Sequence, residues 1–284
     1  MKIWISGASG FLGARVKAAL EHRHTVAAPG SRDCDIGNYA AVKEAILREN
    51  PQLVIHCAAM GDISSCEADH RRAMAVNVAG TRHVASACAE LGIPMISSSS
   101  DQVYHFYSLE PLVEYTPVNP TNFYGKTKVW GEEIVRTLVP RHHILRLSWQ
   151  YGREEAGLPP SRDGLVEALA DCLAKDRPIT YTPDSKLNLT YVYDSVAAIC
   201  AMAEGQIPYG TYNIASQNEK TDRETKAYIL QQLGASHREI QRLLKEAENA
   251  APFDLRAQPL NLSLSGYAFP TFEEGLERCM MGKP

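Results

Sequence analysis

Lys2-Ile3-Trp4-Ile5-Ser6-Gly7-Ala8-Ser9-Gly10-Phe11-Leu12-Gly13 decides the fold class of this chain. Residues 2 to 6 form a short apolar run, glycines follow at 7, 10 and 13, and Val16, Ala19 and Leu20 continue at helical spacing. Strand, glycine turn and helix in that order suit a dinucleotide: small residues let the backbone approach a pyrophosphate, and the helix N-terminus offers it free amides. The alternative is a glycine-rich connection in some other α/β unit. The cofactor reading takes Gly7, Gly10, Phe11, Leu12 and Gly13 as its contacts.

Downstream, strand and helix patterns keep alternating. Thr25 to Ala28 reads as a strand that should end near the adenosine ribose, where an acid would bind the ribose diol and favour NAD. The chain instead reads Pro29-Gly30-Ser31-Arg32. Arg32, helped by Ser31, can pair with a 2'-phosphate, which favours NADP(H) over NAD(H); Asp33 stands beside it, and decoration of a turn is the alternative. Asp35-Ile36-Gly37 leads into a helix from about Tyr39 to Glu49. Leu53-Val54-Ile55-His56-Cys57-Ala58-Ala59 is the continuous apolar run of a strand covered on both faces, and Cys57, Ala58 and Ala59 are small enough to admit a flat ligand.

Asp69 to Leu91 reads as a long helical stretch containing Asn77, which either bridges backbone and water near a cofactor or is a satisfied kink. Ile93 to Ile96 enters a strand that runs into Ser97-Ser98-Ser99-Ser100-Asp101-Gln102-Val103-Tyr104. Serines at a strand's carboxyl edge can hold a substrate oxygen beside a tyrosine; a flexible serine loop is the alternative. His143 to Leu147 is a further strand, which Ser148-Trp149-Gln150-Tyr151-Gly152 leaves.

Between those strands, Asn119-Pro120-Thr121-Asn122 precedes a helix expected from about residue 121 to 138, stopped by Pro140. Tyr124 and Lys128 stand one turn apart on it, with Trp130, Ile134, Val135 and Leu138 as an apolar stripe. A phenol has a reference pKa of ~10, and lowering it by about 3 units takes roughly 4 kcal/mol, which an ammonium and a bound cationic nicotinamide can supply in a desolvated cleft. Most such pairs, taken alone, are a solvated lysine near a helix tyrosine.

Composition narrows the classes. The chain has 284 residues, 45% hydrophobic and 22% charged, with a formal net charge of −4, so no basic footprint points to nucleic acid. Arg71, Arg72, Arg141 and Arg146 read as surface or substrate-anion contacts. No apolar run of membrane-spanning length exists, and strand and turn occupy the position of a signal peptide, so a cytoplasmic protein is expected. Seven widely spaced cysteines without a Cys-x-x-Cys pair should remain thiols, and the histidine spacings converge on no metal site.

Alternation over the first 150 residues therefore predicts an α/β fold, a doubly wound parallel Rossmann sheet with ligands at its carboxyl edge. Residues 1–152 and a returning segment at about 190–215, where Asp194 should cap a helix from Ser195 to Ala203, form the dinucleotide-binding domain. Residues of about 153–189 and 216–284 form a smaller substrate lobe.

These pieces together resemble the extended short-chain dehydrogenase/reductase family, and within it the dTDP-4-dehydrorhamnose reductases. The carrying residues are Gly7-x-x-Gly10-x-x-Gly13, Asn77, Ser99 to Tyr104, Asn119 to Lys128, and Arg146-Leu147-Ser148-Trp149-Gln150-Tyr151. The resemblance implies NAD(P)H-dependent reduction of a 4-keto-6-deoxy nucleotide sugar. Tyr124 would be the proton donor, Lys128 would hold the ribose and acidify the phenol, Ser100 would stand where threonine is common with Asp101 beside it, and Trp149 would lie near the sugar. It also implies cofactor contacts from Ser31, Arg32, Asp35, Ile36, Cys57, Ala58 and Ala59.

Two positions depart from that pattern: Gln102 replaces an aromatic residue of the sugar pocket, and Met60 stands where tyrosine or histidine is frequent. Two other functions share the likeness, an NAD-dependent epimerase or dehydratase and a non-catalytic dinucleotide-binding subunit like the regulatory partner of methionine adenosyltransferase. A nucleotide sugar is the expected partner, without nucleic acid or membrane; a homodimer is left open.

Overall fold

The structure is a computed structural model that describes residues 1–104, 112–161 and 164–283. Its first half follows β1 (Lys2–Ser6), α1 (Phe11–Glu21), β2 (Thr25–Ala27), α2 (Tyr39–Glu49), β3 (Leu53–His56), α3 (Ile63–Ala68) and α4 (His70–Ala73). A π-helical turn at Met74–Gly80 joins α4 to α5 (Thr81–Leu91), and β4 (Met95–Ser100) runs into a 3-10 turn at Asp101–Val103. Then come α6 (Phe123–Leu138), β5 (His142–Leu147), β6 (Trp149–Tyr151), α7 (Leu165–Ala174), β7 (Ile179–Tyr181), β8 (Lys186–Leu187) and β9 (Leu189–Tyr191). The chain ends with α8 (Val192–Ala203), β10 (Gly210–Ile214), α9 (Asp222–Gln232), α10 (His237–Leu243), β11 (Leu244–Glu246), β12 (Asp254–Leu255), α11 (Leu260–Leu264) and α12 (Phe272–Met280).

Six strands form one parallel sheet in the order β2-β1-β3-β4-β5-β10. The chain leaves β1 for β2 on one side and returns to β3 on the other, so strand order reverses at the carboxyl ends of β1 and β3, where open α/β sheets place their ligands. Both faces of the sheet are covered. Val16 and Leu20 of α1 pack with Val196, Ile199 and Met202 of α8 against Ile3, Ile5 and Ile55. On the opposite face Ile46 of α2, Val84 of α5 and Val135 of α6 meet Trp4, Val54 and Met95. Each such fully buried aliphatic side chain contributes roughly 1.5–3 kcal/mol, which makes the sheet a rigid base for the turns at its edge. A third cluster gathers α7, α9, α10 and α12 around Tyr151, Leu189 and Tyr191. No helix among the described residues is long and apolar enough to cross a membrane.

Several local expectations are corrected. The chain is helical without a break from His70 to Leu91, but Asp69 is the cap rather than part of the helix and a π turn separates α4 from α5. Asp194 lies inside the first turn of α8, with Tyr191 at the cap position. Trp149 to Tyr151 does not simply leave β5 but pairs as β6 with β9. On α6, Trp130 is 41% exposed, and the buried face is formed by Thr127, Lys128, Gly131, Glu132 and Val135.

Arg146 is no surface or substrate contact either. It is buried in β5 and grips Glu132 of α6 with Nε and Nη2 at 3.0 and 2.8 Å, while its Nη1 donates to Tyr104 Oη at 2.8 Å and to the Glu114 carbonyl at 3.0 Å. Glu132 also accepts from Ser99 Oγ at 2.6 Å and pairs with Arg136. These charge-assisted bonds hold the helix carrying Tyr124 to the two strands that end beside it.

Candidate active site

The glycine turn joins β1, β3 and α1 with no room for side chains at two of its three positions. Gly7 has φ +77°, and a Cβ on it would stand 2.5 Å from the Ala58 nitrogen; one on Gly13 would collide with the Gly7 carbonyl oxygen. Gly10 is different. It caps α1 in extended conformation, and a Cβ there would press on the Gly7 carbonyl oxygen at 3.3 Å, a tight contact rather than a collision. No side chain caps α1 and no acid stands in its first turn, which leaves its leading amides available to an anion.

From the ends of β1 and β3 a polar chain runs to α6. Ser6 Oγ lies 2.6 Å from His56 Nδ1, and His56 Nε2 lies 3.1 Å from Thr81 Oγ1, which itself donates to the Asn77 carbonyl at 2.7 Å. Since the Thr81 proton is committed, His56 must donate from Nε2 and accept from Ser6, the neutral tautomer. Burial first, and the Lys128 charge second, lower its pKa to about 3, in keeping with that form. The Asn77 side chain accepts from the Met60 amide at 2.7 Å and donates to the Met60 carbonyl and to Thr127 Oγ1, both at 3.0 Å. Thr127 in turn donates to the Tyr124 carbonyl at 2.7 Å. Asn77 is thus a satisfied residue of the π turn that ties the segment after β3 to the first turn of α6. Its wide turn is the kind of helix defect that recurs at functional sites.

Lys128 sits one turn beyond Tyr124 on the buried face, 7% exposed. Among the described residues its ammonium has no hydrogen-bond or ion-pair partner. It borders a polar cavity of about 10 Å³ together with Asn77, Ser99 and Glu132. Burial lowers its pKa to about 8, with the Glu132 charge opposing the shift. A buried ammonium without a polar partner among the described residues fits the ribose of a dinucleotide, and the free amides at the start of α1 fit its pyrophosphate.

Removing that charge should stabilise the fold. The folded pKa lies below the unfolded value of ~10.4, so the burial cost is fully present below about pH 8 and is relieved as pH rises from there through the unfolded value. Lys128→Met is therefore expected to gain about 3 kcal/mol at pH 7, a gain that shrinks towards pH 10, while activity is lost. Thermal unfolding at the two pH values checks it; a loss of stability at pH 7 would contradict it.

Tyr124, one turn before the lysine, borders a cleft of about 700 Å³, walled also by Ser100, Asp101, Gln102 and Trp149. Phe11 and Leu12 from the start of α1 reach the same cleft. The register of β4 and β5 pairs Ser100 with Leu147, which brings the serine edge and the segment to Trp149 together. Burial raises the Asp101 pKa to about 7, against hydrogen bonds from Gln102 and Ser100.

Ser31 and Arg32 lie exposed in the turn after β2. Among the described residues Arg32 has no ion pair, and the neighbouring Asp33 carboxylate accepts from the Gly30 amide at 3.3 Å. Asp35 accepts from the Gly37 amide at 2.9 Å, and Ile36 accepts from His83 while its side chain fills the space beside Gly80. Cys57 is a thiol that burial pushes up to about 12. Met60 is held by its main chain, and the adjoining cleft wall is formed by Gly61 and Asp62. Sequence reasoning missed Asp62, the cap of α3, and the apolar wall of Leu187, Phe253 and Leu255. Asp62 followed by Ser65 was a readable cap signal; the apolar wall had none, because pairing of β8 with β12 assembles it.

Comparison with known proteins agrees with this geometry. The chain is 32% identical over 237 residues to a dTDP-4-dehydrorhamnose reductase of Streptomyces griseus, covering 81% of this chain and 76% of the relative. A solved dTDP-4-dehydrorhamnose reductase from Bacillus anthracis in complex with NADP superposes with TM-score 0.88 at 25% identity over 99% of both chains. A UDP-glucose 4-epimerase of Thermus thermophilus in complex with NAD shares the fold, with TM-score 0.80 at 21% identity over 99% of this chain and 98% of that one. The family model described as the RmlD substrate binding domain matches residues 1–272. Glycine turn, Tyr124–Lys128 helix and cleft all lie within that span, and the chain belongs to the RmlD substrate binding domain family.

Proposed function

We propose that this protein is an NADP(H)-preferring reductase of a 4-keto-6-deoxy nucleotide sugar, the activity for which its relatives are named. The observation that carries the reading is the meeting of Tyr124 and Ser100 on one cleft wall, with the Lys128 ammonium buried one helical turn from Tyr124 and without a polar partner among the described residues. Reduced nicotinamide, when bound, supplies a hydride to the keto carbon. Tyr124 gives its phenolic proton to the oxygen that becomes an alkoxide, and Ser100 hydrogen-bonds the same oxygen. Lys128 holds ribose hydroxyls and, as a cation, lowers the cost of the tyrosinate left behind. The leading amides of α1 take the pyrophosphate.

Trp149 and the apolar wall of Leu187, Phe253 and Leu255 exclude water from the sugar and the base; a cleft of this volume is in the range that small-ligand sites occupy. The division of labour follows: residues 1–152 and about 190–215 carry the cofactor, and about 153–189 and 216–284 complete the sugar site. The pairing of β10 with β5 supports the inclusion of the returning segment. Under this reading the protein works in the cytoplasm on a nucleotide sugar.

Arg32 sets the cofactor preference through the 2'-phosphate. Arg32→Ala is expected to weaken NADPH by about 5- to 30-fold and NADH by less than about twofold, since a charge-assisted contact at an exposed site is worth roughly 1–2 kcal/mol. Fluorescence titration of both cofactors checks it, and equal losses would remove Arg32 from the site. The function itself is tested by a panel of 4-keto nucleotide sugars with NADPH and NADH, followed by nicotinamide absorbance. Oxidation of NADPH by at least one 4-keto-6-deoxy sugar is expected. Silence across the panel with a copurifying oxidised cofactor would favour an epimerase instead.

A further inference from the structure

The amides around Gln102 have a polarity that can be traced from a fixed starting point. The Gly125 main-chain N–H can only donate, and it donates to Asn122 Oδ1 at 2.7 Å. That leaves Asn122 Nδ2 as the donor to Gln102 Oε1 at 2.9 Å, which leaves Gln102 Nε2 as the donor to Asp101 Oδ1 at 3.3 Å. The same carboxylate oxygen receives the Ser100 hydroxyl at 3.1 Å, and Ser100 Oγ accepts from the Gln102 amide at 3.2 Å. Ser100 has one proton, and with Asp101 ionised it points at Asp101 rather than into the cleft. Once Asp101 is protonated, the carboxylic acid can donate to Ser100 Oγ, and the serine proton becomes free for a substrate oxygen.

We propose that Gln102 is a positioning residue that straps Asp101 to Asn122, the cap of the helix carrying Tyr124, and so decides which way the Ser100 hydroxyl points. The inference rests on the reductase reading for its consequence in turnover. The Gln102 side-chain amide is engaged at both ends, a role that needs a donor and an acceptor on one side chain. Asp101 is buried and its pKa is raised to about 7, where a donor such as Gln102 Nε2 moves the balance. The titratable groups on elements around it are Tyr124 and Lys128 of α6, Arg146 of β5 and Asp62 on the cleft wall. Arg146 is committed to Glu132 and Tyr104.

Gln102 stabilises the ionised carboxylate, so its removal should favour the protonated form and release the Ser100 proton at higher pH. The test uses the full-length protein with 13C-labelled aspartate carboxyls, the Asp101 signal being identified by its loss in Asp101→Asn. In Gln102→Leu the Asp101 midpoint should rise by roughly half a unit or more, and in Gln102→Glu, where a second carboxylate replaces the donor, by more still. The ratio of kcat/KM at pH 8 to that at pH 6 should rise about threefold or more in Gln102→Leu. A loosened helix cap alone would scale the rate equally at both pH values. Unchanged midpoints in both variants would overturn the proposal, as would a raised midpoint with an unchanged ratio. If the wild type reduces no sugar, the reductase reading fails while the titration still decides whether Gln102 straps Asp101.

Discussion

Tyr124→Phe is expected to lower kcat by about 10²- to 10⁴-fold while NADPH binds within a factor of about two of wild type. The substitution removes the proton that the sugar oxygen must receive and almost no contact area. What remains in place are groups proposed to hold the cofactor: the free amides of α1 and the buried Lys128. The helix should not move, because Asn122 caps it and Thr127 holds the Tyr124 carbonyl through main-chain atoms that phenylalanine also provides. Stopped-flow turnover and a cofactor titration on the same preparation check the two halves. Equal losses of binding and rate would mean that Tyr124 serves the cofactor rather than the proton.

The second large effect is structural. Arg146→Leu is expected to destabilise the protein by about 3–5 kcal/mol, because it leaves the buried Glu132 carboxylate without its two-point partner. Tyr104 Oη and the Glu114 carbonyl would lose a donor at the same time. Arg136 remains on Glu132 Oε2 at 2.6 Å but is a third exposed and cannot replace the fork. The double variant Glu132→Leu/Arg146→Leu should recover much of the loss, since the penalty is mainly that of an unpaired buried charge. Urea unfolding of the three proteins checks this, and a cost below about 1 kcal/mol for the single variant would show that the pair is dispensable.

The parallel sheet was readable because its strands are short apolar runs bounded by glycine or proline, as at Lys2–Ser6 and Leu53–His56, and the helices between them have apolar periodicity. Tyr124 and Lys128 were readable for the same local reason, four residues on one capped helix. Arg146 was not. Its side chain looks like any arginine in a strand until β5 brings it under Glu132 of α6, a contact decided by packing. Trp130 misled because the face of α6 that turns inward is the one holding Lys128 and Glu132, leaving the tryptophan at the surface against Phe123. At Asn77 the choice between its two readings was hidden because its side-chain partners, Met60 and Thr127, are distant in sequence. Gln102 could be seen as a departure from a pattern, but its role needed the Asn122 cap beside it.

Transfer of deuterium from NADPH carrying deuterium at both C4 positions of the nicotinamide shows whether the cofactor's hydride reaches the sugar. Incubated with a 4-keto-6-deoxy nucleotide sugar, the wild-type protein should deliver the label to the former keto carbon, one deuterium per cofactor oxidised, read by mass and proton spectra of the product. With both C4 hydrogens replaced by deuterium, a product that forms without label would contradict hydride transfer to the sugar.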